Sequence, residues 1–314
     1  MSGIFTKLIK QTSSIGASAP RSWRLLPLAA TLFLAGCDGM SVMNPAGQIG
    51  VEERWIILIA TCLMLIVVVP VIGMVFFFAW KYRETNTEAP YAPEWSHSNR
   101  IEAVIWLVPC LIIAALAVVT WISSHELDPY KPIASDQPPL QVDVVSLDWK
   151  WLFIYPDFGV ASVNELAIPE NVPVKFHLTS GSVMNSFFIP RLGGQIYTMA
   201  GMETQLSLVA NETGTFGGIS ANYSGNGFSH MNFKAHSLTR QGFEAWIEKA
   251  KSSSNALNLT AYAELAKPSE DHAVVYYASV APNLFDSILH KLFVSDGYAC
   301  LPPDSSLRTA AKEQ

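Results

Sequence analysis

The sequence predicts a membrane-anchored α+β protein: a hairpin of two transmembrane helices, then a Greek-key β-sandwich outside the membrane, then a C-terminal helical arm. Three observations predict it. Half of the 314 residues are hydrophobic and only 15% are charged, a mixture too apolar for an ordinary soluble domain. Two long runs, 56–79 and 103–124, carry no charge at all. Beyond residue 139 the apolar positions change from continuous to alternating, the period of strands buried on one face. A net charge of -6 and the lack of any sustained Lys/Arg run exclude nucleic acid as the expected partner.

Residues 1–36 read as a lipoprotein signal peptide. Lys7, Lys10, Arg21 and Arg24 precede a short apolar run, 25–35, too brief to cross a bilayer. The run ends in Leu34-Ala35-Gly36-Cys37, which resembles a bacterial lipobox, so cleavage before Cys37 and acylation of that cysteine are expected. Asp38 after it resembles the inner-membrane retention signal of enterobacterial lipoproteins. Cys62, Cys110 and Cys300 then remain as thiols, two in apolar runs and one in a polar tail, and disulfides are not expected.

Residues 37–127 hold the lipidated N-terminus and the hairpin. The first run would reach about 36 Å as a helix, enough for a hydrocarbon core of about 30 Å. Trp55 and Trp80 bracket it at the heights where amphipathic rings prefer the interface, and Pro70 inside it is tolerable in a span. The second run carries Trp106, Pro109 and Trp121. Lys81, Arg83 and Arg100 lie in the segment joining the spans, which places that segment in the cytoplasm and everything after residue 124 outside.

A linker, 128–139, contains four prolines. From there to residue 236 the alternation of Leu140, Val142 and Val144, of Val174, Phe176 and Leu178, of Leu206 and Leu208, and of Met231, Phe233 and Ala235 reads as short strands between Gly, Pro and Asn turns. Trp149, Trp151, Phe153 and Tyr155 fall on one face of a strand, either a core stripe or an aromatic surface offered to a partner. Glu165 is read as a solvated strand residue. In the arm, 237–293, Phe243, Trp246, Ile247 and Ala250 form one helical stripe and Leu284, Phe285, Ile288, Leu289 and Leu292 another. They need an apolar surface, on the sandwich or on another subunit. Residues 294–314 are a polar tail.

The most informative stretch is 217–231. Gly217, Gly218, Gly225 and Gly227 give it the freedom of a ligand loop, yet it holds neither cysteine nor carboxylate. A two-span hairpin followed by a sandwich resembles subunit II of the haem-copper respiratory oxidases, whose outer domain is cupredoxin-like. In the cytochrome c oxidases of that family two cysteines, two histidines, a methionine and a backbone carbonyl hold a dinuclear copper centre. Placed on this sequence, the cysteine positions fall on Ser220 and Ser224, the carbonyl on Asn222, one histidine on Phe228 and the methionine on Met231. The other histidine position falls on Asn185, within Val183-Met184-Asn185-Ser186-Phe187-Phe188-Ile189-Pro190. Hydroxyls do not replace thiolates for copper. His230, beside the loop, is read as an ordinary polar residue.

That pattern of replacements, with Gly47-Gln48-Ile49-Gly50, Asp148-Trp149-Lys150-Trp151 and the lipobox, closely resembles the bo-type ubiquinol oxidase subunits II, from about Cys37 to about Phe293. The resemblance implies an oxidase subunit with no redox group of its own. Quinol would be oxidised within the bilayer, and subunit I would carry haem and copper and reduce dioxygen to water while protons are pumped. Asn185, Ser220, Asn222 and Ser224 are expected to hydrogen-bond across the vacated metal site. Glu102, before the second span, falls where a family glutamate marks the cytoplasmic mouth of a proton path; without the resemblance it reads as a solvated acid near Arg100. A tethered lipoprotein adaptor with no oxidase role is the alternative.

Overall fold

Both uncharged runs are helical and both helices continue past them. The computed structural model describes residues 41–90, 92–290, 293–294 and 299–300. Cys37, the leader and Leu292 lie outside the described residues. Helix α1 (Gln48–Lys81) has 34 residues and α2 (Asn99–Glu126) has 28, so at 1.5 Å per residue each exceeds a hydrocarbon core of about 30 Å. Their apolar windows are entirely unburied within the chain, the signature of helices whose solvent is lipid or another subunit. Cys62 and Cys110 are free and exposed on them.

The outer domain is a sandwich of two sheets. Strands β1 (Leu140–Leu147), β2 (Lys150–Tyr155), β3 (Val160–Val163), β4 (Glu165–Pro169) and β5 (Val174–Ser180) are followed by β6 (Asn185–Phe188), β7 (Gln195–Thr198), β8 (Thr204–Leu208), β9 (Gly214–Ser220) and β10 (Asn232–Leu238). The larger sheet runs β12-β3-β2-β1-β5-β8, where β12 (Val275–Tyr277) belongs to the arm; the smaller runs β4-β10-β9-β6-β7. Parallel pairing of β1 with β5 and of β10 with β4 crosses the chain between neighbouring strands in Greek-key fashion. Val142, Val144, Trp151, Phe153, Phe176 and Leu178 of one sheet meet Phe187, Phe216, Phe233 and Ala235 of the other in the main core. Tyr155 is fully buried there, and its hydroxyl both donates to the Ala167 carbonyl at 3.0 Å and accepts from the Ala167 amide at 2.9 Å.

The arm packs on the sandwich. Helix α3 (Arg240–Lys251) starts at Thr239, whose hydroxyl caps the Gly242 amide, and buries Phe243, Trp246, Ile247 and Ala250 in the main core. After the short strand β11 (Ala256–Leu257), α4 (Leu259–Leu265) and α5 (Leu284–Leu289) cover the outer face of the larger sheet. There Val145, Leu147, Leu152 and Ile154 meet Leu257, Tyr262, Leu265, Leu284 and Ile288 in a second core. Strand β13 (Ser279–Val280) pairs with β11. Because the arm covers that face, all six residues of β2 are buried and the strand shows no exposed side.

Two residues depart from what their spacing predicts. Trp151, Phe153 and Tyr155 are buried core, whereas Trp149 precedes the strand: it occupies the two-residue turn between β1 and β2 with φ of +66° and packs, only partly buried, against the same core. Glu165 is not solvated. Its Oε1 accepts from Trp246 Nε1 at 2.8 Å and from Tyr276 Oη at 2.6 Å, and its other oxygen lies 3.6 Å from His236. Burial alone would raise its pKa, but those hydrogen bonds and the His236 charge outweigh it and hold Glu165 below the ordinary carboxylate value.

The first helix enters the domain through backbone contacts. Ala46 N donates to Arg191 O at 2.6 Å, Gly50 N to Leu192 O at 3.0 Å and Asn211 N to Ala46 O at 2.8 Å, and Gly47 bridges Ala210. Glu53 Oε1 accepts from Gly194 N at 3.0 Å. A Cβ on Gly47 would stand 2.5 Å from Val209 O, and one on Gly193, at φ of +85°, 2.6 Å from Gly50 N. Both positions require glycine because backbone meets backbone.

Candidate functional site

The loop 221–231 joins β9 to β10 at one end of the sandwich. Its approach is shaped by Phe233, whose ring lies over Gly218 across the two strands; any side chain at 218 would collide with it. Ser220 ends β9 with its side chain inward, 5% exposed, and Asn185 begins β6 at 1% exposed. Ser220 Oγ faces Asn185 Oδ1 at 3.0 Å and Asn222 O at 3.3 Å, so one hydroxyl proton serves two acceptors. Asn185 Nδ2 donates to Val183 O, and Asn222 Nδ2 to Met184 O, each at 3.2 Å. Ala221 N to Ser186 O, at 2.9 Å, completes the tie between loop and β6.

Two of the four polar side chains expected to cross this space, Ser220 and Asn185, therefore meet; Asn222 gives Ser220 its backbone carbonyl and sends its side-chain amide to Met184 O. Ser224 does not meet them: its hydroxyl is buried without a partner among the described residues, and only its carbonyl is used, accepting from Trp149 Nε1 at 3.0 Å. Phe228 lies on a single 3-10 turn and packs edge-on to Tyr223 at 5.7 Å. Met231 is 1% exposed and belongs to the main core. His230 points away to Asp271, 2.9 Å off, with both side chains largely in solvent.

A dinuclear copper centre does not fit this donor set. An amide, two hydroxyls and a phenyl ring stand where soft or imidazole donors are needed, and Met231 is taken up by apolar packing. Among the described residues no group of three or more His, Cys, Asp or Glu is placed to hold a metal ion.

Glu102 sits far along the chain from this loop, in the first turn of α2 at the end away from the sandwich. It is exposed, and its amide donates to Ser98 O at 2.9 Å. Its side chain lies at the positive end of the helix dipole.

The sequence reading missed two polar centres. On the outer face of the larger sheet, Asp143 lies beside His177, its register partner, in a cavity of about 520 Å³ that also includes Glu203, Asp157 and Asp286. His177 bridges Glu203 at 2.6 Å and Gln141 at 3.0 Å. Burial, with added repulsion from Asp286, Glu203 and Asp157 against the opposing pull of His177, raises Asp143 to about 6. The second centre is Lys150, 1% exposed, whose ammonium sits on Lys267 O at 2.7 Å and Ser269 Oγ at 2.5 Å. Burial lowers its pKa, against Asp148, which raises it. Strand alternation gives Lys150 an outward position and no sign that the arm covers it.

The sequence is similar to those of several known proteins. The family model described as the periplasmic domain of cytochrome c oxidase subunit II matches residues 159–238, and the one described as the COX aromatic-rich motif matches 251–294. The chain is 59% identical over 266 residues to cytochrome bo(3) ubiquinol oxidase subunit 2 of Pseudomonas aeruginosa, covering 85% of this chain and 80% of that one. It is 53% identical to ubiquinol oxidase subunit 2 of Acetobacter aceti, covering 85% and 87%. It is 36% identical to quinol oxidase subunit 2 of Bacillus cereus, covering 78% and 84%. Among solved structures, the periplasmic domain of subunit II of the cytochrome oxidase of Bradyrhizobium japonicum aligns with a TM-score of 0.36 at 24% identity, over 38% of this chain and 97% of that one.

Proposed function

The chain belongs to the subunit II family of the bo-type ubiquinol oxidases, and from that membership we propose that it anchors and shapes the outer face of the oxidase and feeds protons to subunit I through Glu102. It is a non-redox, copper-less subunit II of a respiratory quinol oxidase, part of an oxidoreductase complex, with two membrane spans and a cupredoxin-like outer domain. The observation that carries the reading is the Ser220–Asn185 hydrogen bond, where a polar lock replaces metal donors.

The physical logic follows from the donor. Quinol is soluble in the bilayer and can deliver electrons to subunit I there, so a relay outside the membrane has no task. Haem and copper belong to subunit I in this reading, and the unburied faces of α1 and α2 suit packing against it and against lipid. Acylation at Cys37 adds a lipid anchor on the outer side of the inner membrane. Glu102, at the inner end of α2, would collect protons and pass them on through water.

Mild-detergent purification of the tagged chain tests the assignment. The expected preparation contains a haem-bearing integral membrane subunit, quinol oxidase activity and no copper assigned to the outer domain. A stable haem-free monomer would favour the adaptor reading, and stoichiometric copper in the outer domain would overturn the copper-less assignment.

A further inference from the structure

The turn between β1 and β2 sends two adjacent side chains to two different partners. Trp149, at φ of +66°, lays its indole over the loop: a Cβ on Gly227 would stand 2.3 Å from its ring, one on Gly225 3.3 Å, and Nε1 holds Ser224 O. An aromatic residue in the left-handed region is strained and persists only where its surroundings demand it. Lys150, the next residue, points to the opposite side and grips the arm segment 267–272 through Lys267 O and Ser269 Oγ. The turn itself joins in, since Ser269 N donates to Asp148 O at 3.4 Å.

The same arm segment returns to the loop from the other side. Asp271, itself at φ of +47°, pairs with His230 at 2.9 Å. His272 O accepts from Asn164 Nδ2 at 2.8 Å, while Asn164 Oδ1 accepts from Trp151 N at 2.9 Å and Asn164 O from Lys234 N at 3.1 Å. Residues 267–272 thus touch the β1–β2 turn, the β3–β4 connection and the end of the loop.

We propose that residues 267–272 are a strap that clamps the copper-less loop, with the buried Lys150 ammonium as its latch, so that loop and arm open and close as one unit. The near end of the loop is tied to β6 and its approach by the Ser220–Asn185, Ala221–Ser186 and Asn222–Met184 contacts, and the far end, 224–230, is held through Trp149 and Asp271. Lys150 is suited to the latch because its amine is buried among oxygen acceptors, with no carboxylate within salt-bridge reach among the described residues. Releasing the strap therefore removes the ammonium's two closest acceptors, Lys267 O and Ser269 Oγ, and leaves it only Asp148 O at 3.5 Å, which favours the closed state.

Hydrogen exchange on the assembled oxidase tests this with Lys150→Met, which keeps the stem and removes the ammonium. The expected result is exchange faster by on the order of tenfold both in 267–272 and in 220–231. Faster exchange in 267–272 with 220–231 unchanged would overturn the proposal. If that variant does not assemble, Asp271→Gly keeps the latch, accepts φ of +47° and removes the direct contact with His230. A several-fold faster exchange at 224–231 supports the strap, and an unchanged loop overturns it.

Discussion

Ser220 Oγ and Asn185 Oδ1 stand 3.0 Å apart and both residues are buried, although one ends β9 and the other begins β6. The strands are already paired, Phe187 opposite Ser220, so the side-chain bond fixes the loop's departure and not the sheet. Asn185→Ala removes the closer acceptor and leaves Ser220 with only the Asn222 carbonyl. Thermal unfolding of the purified protein should show a loss of about 1–2 kcal/mol. A variant as stable as the parent would mean the lock contributes nothing.

Glu165 distinguishes hydrogen bonding from charge. Glu165→Leu leaves Trp246 Nε1 without an acceptor and Tyr276 Oη without its carboxylate partner, and should cost about 2–3 kcal/mol by denaturant melt. Glu165→Gln keeps an acceptor and should cost about half as much. The parent's carboxyl pKa is depressed, so its contribution is complete above the unfolded value of 4.5 and disappears as pH falls below it. Neither variant should show that acid-side loss.

Asp143 has the opposite sign. Its folded pKa is raised from 3.8 to about 6, so the parent should lose stability as pH rises through that window and remain lower above it. Asp143→Asn should be more stable than the parent at pH 7 by about 2 kcal/mol, and the difference should vanish near pH 4. Paired melts at the two pH values measure it, and a gap that persists at pH 4 would contradict the assignment.

Glu102→Gln should slow proton uptake several-fold while assembly and haem content stay intact. Turnover and uptake measured on the reconstituted complex decide it; unchanged turnover removes Glu102 from the mechanism.

Gly47→Ala forces a methyl to 2.5 Å from the Val209 carbonyl, a backbone atom that cannot rotate away. The cost should be about 1–3 kcal/mol, visible as faster proteolysis at 44–50 and lower yield of assembled complex.

Much of this architecture is legible in residue order. The two spans follow from charge-free length, and the inward strands from alternation at Val142, Val144, Phe176 and Leu178. The replaced ligand positions are equally plain, because a hydroxyl at Ser220 is a chemical statement regardless of geometry. Partners far apart in sequence are not legible. Nothing near Glu165 announces Trp246 or Tyr276, and nothing near Lys150 announces the carbonyl of Lys267. Trp149 misleads for a local reason: it keeps the period of the stripe, but it sits in a tight turn with a left-handed backbone and reaches the core only partly buried. Ser224 fails to join the lock because the loop presents its carbonyl to Trp149.

The placement of β12 carries a consequence for how the protein is made. Val163 at the edge of the larger sheet pairs with Val275, and the outer face of β2 is covered only by residues from 257 onward. A chain emerging on the far side of the membrane therefore exposes Leu152, Ile154 and an open sheet edge until its last segments arrive, and contacts so distant in sequence form slowly. The outer face of β2 and the sheet edge at Val163 thus depend on contacts distant in sequence, the class of contact that is slowest to form.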